Sequence, residues 1–470
     1  MKMTKIICTL GPAVDDEIKL ESLINKGMDV ARFNFSHGDH DAQQVRVDRI
    51  KNVKEKHGKD IALLLDTKGP EIRIGKIADK TAELIEGELF TLLHEDVLGN
   101  NKQVSITHKE LYKSIEKGKR ILINDGLIEL NVEKVLNKDI VCKVINGGII
   151  SDNKGVNIPD TDTNLPSLTP QDVKDIEFAI KNKFDFIAAS FIRKAKDIVA
   201  VKEILSNNGA SNIKVIAKIE NREGVDNFDE ILEVSDGIMV ARGDLGVEIP
   251  FEEIPALQKM MCEKCNAQEK IVIVATQMLE SMICNPRPTR AEVSDVANAI
   301  YDGASAIMLS GESAAGKYPV ESVETMTRIA LETEKSIYLH TRKKLSLPDT
   351  TIKSEAISLA SVLTANSLKA SAIVCLTESG STARKISFYK PMCPIIAITH
   401  DEKVVRNLRL AWGVYPVLLK ENYDVENMFN IGVDIALREG LAKEDDNIVI
   451  TSGEKKSKQG STNILKIHTI

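Results

Sequence analysis

Short apolar runs rich in Val, Ile, Leu and Ala recur along the chain at residues 5–10, 29–34, 60–67, 184–191, 213–220, 236–242, 270–276 and 305–311. Runs of this length with β-branched enrichment read as buried strands. Between them lie stretches with apolar positions three and four apart, at 15–26, 41–57, 196–207, 228–234, 254–268 and 289–302, which predict amphipathic helices. Eight strands alternating with helices is the count that closes a parallel (β/α)8 barrel of the TIM type. An open doubly wound sheet is the alternative, and eight evenly built units favour the barrel.

One interruption, about residues 71–166, is far too long for an ordinary strand-to-helix loop. Its runs at 91–93, 120–123, 128–132 and 140–144 are separated by Asn, Asp and Gly turns. They predict a small all-β module inserted after the third strand, over the end of the barrel where active sites lie, and so a lid. A polar, Pro-containing break at 345–354 precedes further strands near 372–376, 394–399, 414–418, 447–451 and 464–468, a second α/β unit. The expected division is barrel 1–70, lid 71–166, barrel 167–344 and C-terminal α/β domain 345–470.

Composition narrows the class. The 470 residues are 43% apolar and 28% charged, enough for several cores beneath a soluble surface. With 62 basic and 69 acidic residues the net charge is -7, which argues against a nucleic-acid coat and leaves room for a small basic pocket. No run reaches the length of a membrane helix, and the amino terminus enters a strand pattern without an apolar signal core. Seven scattered cysteines suit a reducing, cytoplasmic setting. Cys262 and Cys265 form a CxxC inside a helical pattern with no second pair, so packing is expected rather than zinc or redox chemistry.

The strand ends carry the chemistry. The run at 213–220 closes with Lys218 and Glu220, which a strand points the same way, and the next closes with Arg242 and Asp244. Those two segments alone fit either a structural ion pair or a divalent-metal and phosphate site. Arg32 to Gly38 end strand two, Asp66 to Arg73 follow strand three, Thr276 ends strand seven and Glu312 follows strand eight. Such clusters on one rim point to an active site. Glu220 and Asp244 suit Mg²⁺. Asn34, Ser36, Asp66 and Thr67 suit a large monovalent cation, and Arg32 and Arg73 offer forks for phosphate oxygens. Lys218 offers a compact charge where negative charge grows.

Other motifs carry less. Residues 311–317 imitate a phosphate loop, but Tyr318 stands where its hydroxyl residue belongs, and no GxGxxG follows a strand. Thr289 and Glu292 have capping-box spacing. Thr377, Ser379, Gly380, Ser381 and Thr382 lie between a strand and a helical pattern, which fits a phosphate cradle and a plain helix start equally.

Together the segments 32–38, 65–73, 218–221, 239–246 and 275–279 resemble the pyruvate kinase family over essentially the whole chain. The resemblance implies phosphoryl transfer from phosphoenolpyruvate to ADP, giving pyruvate and ATP, on a barrel with an inserted lid and a regulatory α/β domain. It implies Mg²⁺ (or Mn²⁺) at Glu220 and Asp244, and K⁺ at Asn34, Ser36, Asp66 and Thr67. Catalysis would rest on Lys218, Arg32 and Thr276, with Arg32, Lys218, Gly243, Asp244 and Thr276 holding the substrate. Asn34, Phe35, Ser36, His37, Arg73 and Lys154 would meet the nucleotide, and Glu71 would accompany K⁺ dependence. A homotetramer is implied, together with a sugar-phosphate or AMP effector at 377–382. There Glu378 replaces a lysine of some sugar-phosphate-activated members, while 460–463 matches the family's tail. Asp160 stands where many members have Gly, at the lid hinge. The chain ends where the regulatory domain should, so no appended domain is expected.

Overall fold

The computed structural model describes all residues except 59, 341–351, 420–424 and 454–461. The expected break at 345–354 therefore lies mostly outside the described residues.

Eight parallel strands close the barrel: β1 (Lys5–Thr9), β2 (Val30–Asn34), β3 (Ala62–Asp66), β4 (Phe186–Ala189), β5 (Lys214–Ile219), β6 (Gly237–Ala241), β7 (Ile271–Ala275) and β8 (Ala306–Leu309). Each neighbours its successor in sequence, and β8 pairs back to β1 through Lys5–Ala306 and Cys8–Leu309. Helices Glu17–Lys26, His40–His57, Ala195–Asn207, Phe228–Val234, Ile254–Ala267 and Arg290–Tyr301 match the predicted periodicities within one or two residues. Thr289 accepts from the Glu292 backbone and Glu292 from that of Thr289, so the capping box forms. Among the elements not read from the pattern, two bear on the site. Helix Pro170–Lys181 begins behind its own capping box at Thr169 and Asp172, and the short helix Arg242–Glu248 starts at the last residue of the β6 run.

Strand alternation builds two cores. Residues of one parity, among them Ile6, Phe33, Leu65, Ile187, Val215 and Val240, pack outward against the helices. The other parity fills the barrel with Ile7, Val30, Leu64, Phe186, Ile216, Met239, Ile273 and Met308. Leu410 joins this inner stack although it comes from the C-terminal domain. Cys262 and Cys265 are buried in the outer core with thiols pushed up by burial, Cys262 to about 12, so they are packing residues without thiolate character.

Between β3 and β4 stands a seven-stranded sheet, ordered Ile72–Arg73, Gly155–Asn157, Arg120–Ile123, Ile128–Leu136, Asp139–Asn146, Leu89–Leu93 and Gln103–Ser105. Thr81–Leu84 pairs separately with Gly148–Ser151. The module has its own core around Phe90, Ile121, Leu130 and Ile140. The four runs at 91–93, 120–123, 128–132 and 140–144 were legible; the other strands, of two to four residues, were too short to show a period. At the hinge Asp160 has φ +56, a left-handed backbone that glycine adopts without strain, and Lys119 Nζ donates to its carbonyl at 2.7 Å.

The last domain is a five-stranded sheet of β9 (Ala372–Leu376), β10 (Ile395–Thr399), β11 (Val414–Leu418), β12 (Asn447–Gly453) and β13 (Thr462–Thr469), ordered 11-10-9-12-13 with only β13 antiparallel. It docks on the N-terminal end of the barrel. Leu410 enters the floor, Arg406 Nε pairs with Asp185 at 2.8 Å, and the buried Lys5 Nζ donates to Val414 O at 2.7 Å. Burial lowers the Lys5 pKa to about 8, so its charge is held there at a cost.

Leu410→Ala removes the side chain that closes the barrel floor from the neighbouring domain. It is expected to destabilise the fold by about 3 kcal/mol through lost burial and a cavity, read as a lower denaturation midpoint. An unchanged midpoint would show that the floor closes without it.

Candidate active site

The inward row of the barrel turns polar at its C-terminal end. Counting by twos from the apolar stack leads from Ile7 to Thr9, from Val30 to Arg32, from Leu64 to Asp66, from Ala188 to Ser190 and from Ile216 to Lys218 and Glu220. The chemical groups are thus the next layer of the same interior, delivered by the same alternation.

Asp66 is the centre of this layer, 1% exposed. Its Oδ2 accepts from Arg32 Nε at 2.7 Å and its Oδ1 from Lys218 Nζ at 2.9 Å. Arg32 Nη1 donates onward to Thr9 Oγ1 at 2.7 Å. Burial alone would raise the Asp66 pKa, but Arg32 and Lys218 outweigh it and hold the carboxyl below its usual range. Lys218 also faces Ser190 Oγ at 2.7 Å and Glu220 Oε1 at 2.9 Å. Burial disfavours its charge, yet Asp66 and Glu220 raise its pKa, so it stays an ammonium. Ser190 donates to Thr67 O at 2.6 Å, which fixes the hydroxyl that Lys218 meets.

The acids that follow β5 and β6 are less well compensated. Glu220 Oε2 accepts from Phe191 N at 2.6 Å, and burial lifts its pKa to about 7 against the pull of Lys218, with Asp244 pushing the same way. Burial raises Asp244 too. A buried Glu220 and a solvent-open Asp244, neighbouring carboxyls with raised pKa values, are what a site awaiting a cation presents. Asp244 sits in the first turn of Arg242–Glu248 rather than on a strand. Arg242 does not face the substrate side: it donates to Thr276 O and Ala275 O and pairs with Asp295 at 2.6 Å, bracing the β7 end.

That β7 end is strained. Thr276 has φ +67 and Gln277 +54, unusual for non-glycine residues. The turn aims Thr276 Oγ1 at the neighbouring strand, where it accepts from Gly243 N at 2.7 Å. Gly243 and Thr276 are therefore brought together, with Asp244 next to Gly243 in the chain. Glu312 is not part of the rim: it is fully buried, accepts from Leu279 N and Ser310 N, and ties the β7 and β8 loops to each other.

Asn34 ends β2 opposite Asp66, and Ser36 N donates to Asn34 Oδ1 at 3.1 Å. Phe35, expected to meet the nucleotide, turns its ring inward and leaves its backbone to the loop. It is 7% exposed and packs edge-on to Phe178 and His40, because burying an aromatic ring outweighs presenting it at a wet rim. His37 is exposed beside it. Arg73 and Lys154 lie at the lid's base, where Gly155 pairs with Arg73. Glu71 holds Arg73 Nη2 at 2.7 Å. Lid and rim also meet where Asn157 Nδ2 donates to Glu248 at 2.8 Å, and burial raises that carboxyl.

Ser190 and Thr9 were not singled out from sequence. Both lie on the inward parity of strands that were correctly located, so extending the count of two would have found them.

In the C-terminal domain Thr377, Ser379, Gly380, Ser381 and Thr382 form one loop after β9, which lies where the strand order reverses. Thr377 Oγ1 accepts from Gly380 N at 3.0 Å, Gly380 has φ +76, and Thr382 Oγ1 meets Thr462 Oγ1. Thr377 and Thr382 are buried and occupied, leaving Ser379 and Ser381 half-exposed. Of the matching tail, residues 460 and 461 lie outside the described residues.

Family models give the same answer as this geometry. Residues 1–323 match the model described as pyruvate kinase, barrel domain, and residues 355–468 that of pyruvate kinase, alpha/beta domain. The chain is 46% identical to the pyruvate kinase of Clostridium acetobutylicum, with both proteins covered in full. It is 49% identical to those of Sporosarcina psychrophila and Geobacillus stearothermophilus, covering all of this chain and 81% and 80% of theirs. Carrying a polar layer of Arg32, Asp66, Lys218 and Glu220 on its barrel and matching these models and relatives along its length, the chain belongs to the pyruvate kinase family.

Proposed function

We propose that the rim of the barrel transfers the phosphoryl group of phosphoenolpyruvate to ADP, and that Lys218 is its central catalytic residue. The observation that supports this most is the ammonium of Lys218, kept charged in a dry site between Asp66, Ser190 and Glu220. In the reaction the bond from phosphorus to the enol oxygen breaks and one to the terminal phosphate oxygen of ADP forms. The enolate left behind takes a proton at carbon to become pyruvate.

Each side chain has a physical task in that sequence. Arg32, oriented by Asp66 and Thr9, presents its remaining N–H groups to the phosphate. Asp66 and Ser190 are themselves pinned, by Arg32 and by Thr67, so the Lys218 donor facing Glu220 is the one free to turn to a phosphoryl or enolate oxygen. Gly243, Asp244 and Thr276 would hold the carboxylate end, the strained turn setting Thr276 beside the reacting carbon. Arg73 and Lys154 would reach the nucleotide from the lid, beside the exposed His37 and the backbone of Asn34, Phe35 and Ser36. Work of this kind is positioning and charge neutralisation, with little covalent chemistry for the protein.

Glu220 and Asp244 fit a divalent cation, Mg²⁺ or Mn²⁺, since they are neighbouring carboxyls with raised pKa values, Glu220 buried and Asp244 open to solvent. Asn34, Ser36, Asp66 and Thr67 fit K⁺: the oxygens are neutral except for Asp66, whose charge Arg32 and Lys218 already match. When bound, these cations supply charge neutralisation at the phosphate oxygens. Control through the loop at 377–382 by a sugar phosphate or AMP is the regulatory part of the proposal. Glu378, beside the hydroxyls, disfavours a densely phosphorylated sugar.

Turnover of phosphoenolpyruvate and ADP, followed by coupling pyruvate to lactate dehydrogenase, should require both Mg²⁺ and K⁺ and fall steeply when Na⁺ replaces K⁺. No turnover with both cations present would refute the activity, and equal rates in the two salts would refute the K⁺ assignment. Lys218→Met should lower kcat on the order of 10²-fold or more. Ser190→Ala leaves Lys218 without one fixed partner and should lower kcat about tenfold, with the KM for phosphoenolpyruvate little changed. A rise in KM at constant kcat would instead make Ser190 a binding group.

A further inference from the structure

Beneath the rim loop that follows β2 lies a side chain with no assigned task. Gln43, in the second turn of helix His40–His57, is 2% exposed. Its Nε2 donates to Asn34 O at 3.1 Å and to His37 O at 2.9 Å, spanning the loop from one end to the other. Its Oε1 is buried and has no hydrogen-bond partner among the described residues. The direction of the amide is dictated by its neighbours, because the reverse orientation would aim the oxygen at two carbonyl oxygens. An acceptor is thus left without a partner in order to hold two loop carbonyls, a cost that a merely space-filling residue would not impose.

The second anchor of the loop is apolar. Phe35 is turned inward, its ring 5.3 Å from that of Phe178 and 5.7 Å from that of His40. His40 is in turn fixed by Asp175 at 2.7 Å. With Phe35 held inward and the carbonyls of residues 34 and 37 tied down, the flanking side chains of Asn34 and Ser36 stay half-exposed at the rim. The hydrogen bond from Ser36 N to Asn34 Oδ1 then sets the position of the side-chain oxygen. Gly38, at φ +78, completes the turn, and Asp39 caps the helix by accepting from Ala42 N.

We infer that Gln43 is a positioning residue for the monovalent-cation and nucleotide-phosphate subsite, acting by fixing the backbone of residues 34–37 so that the Asn34 and Ser36 oxygens stand at ligand distance from one another. This rests on the reading of that loop given above. A rigid oxygen set selects a cation by size, whereas a loose one binds it weakly, so the effect belongs to cation and nucleotide affinity rather than to the chemical step.

Gln43→Met keeps the length and packing and removes both donors. Gln43→Glu keeps the shape and sets a carboxylate oxygen against the two carbonyls. Three measurements apply to both variants: the K⁺ concentration for half-maximal activation, the dissociation constant of MgADP by calorimetry, and amide hydrogen exchange of residues 33–40 in the ligand-free protein. The half-activation concentration and the MgADP dissociation constant should each rise about fivefold or more, with faster exchange in 33–40 and kcat at saturating K⁺ nearly unchanged. Gln43→Glu should exceed Gln43→Met, and either variant decides the matter if the other does not fold. Asn34→Ala provides the reference. If it raises the K⁺ requirement while the folded Gln43 variants do not, the positioning role is overturned and the loop reading stands. If Asn34→Ala leaves the K⁺ requirement unchanged, the loop reading fails and the role of Gln43 falls with it.

Discussion

Everything at the top of this barrel depends on one buried carboxylate. Asp66 takes Arg32 on one oxygen and Lys218 on the other, and each of those cations would be costly to hold in the interior without it. Its lowered pKa and the raised pKa of Lys218 are two expressions of one coupling, which keeps an ammonium and a guanidinium charged where water is scarce. Glu220 and Asp244 lie at the edge of that arrangement and are left under-compensated. The layer is therefore balanced by its own charges on one side and receptive to a cation on the other.

The remainder of the fold holds that layer still. Below it, the inner stack from Ile7 to Met308 is closed by Leu410, so a residue of the C-terminal domain completes the core on which the site rests. Arg406 with Asp185 and Lys5 with Val414 make the same junction polar and specific. Above it, the lid meets the helix bearing Asp244 through Asn157 and Glu248.

Most of the architecture was legible because its elements are long and strictly periodic. The barrel strands and six of their helices fell within a residue or two of the pattern, helix Pro170–Lys181 was missed despite its capping box, and the insertion announced itself by length. Elements set by a few residues were not legible. The lid's shortest strands carry no period, and Arg242–Glu248 hides behind an apolar run that continues into it. Lys218, Glu220 and Asp66 were found because they interrupt apolar runs with charge. Ser190 and Thr9 were missed because a hydroxyl at a strand end is unremarked until its partner is known.

By itself, then, the sequence determined parity. A strand's period of two sends Arg32, Asp66 and Lys218 to the same interior as the aliphatic residues before them, whatever their partners. Tertiary structure decided adjacency. Closure of the barrel set Asp66 between Arg32 and Lys218, residues 34 and 152 positions distant in the chain. It bent β7 into the left-handed turn that carries Thr276 to Gly243, and it placed Gln43 under a loop it precedes no motif to announce. Local pattern fixes which face a side chain takes; only packing across the sheet fixes what it meets there, and the pKa values follow from the meeting.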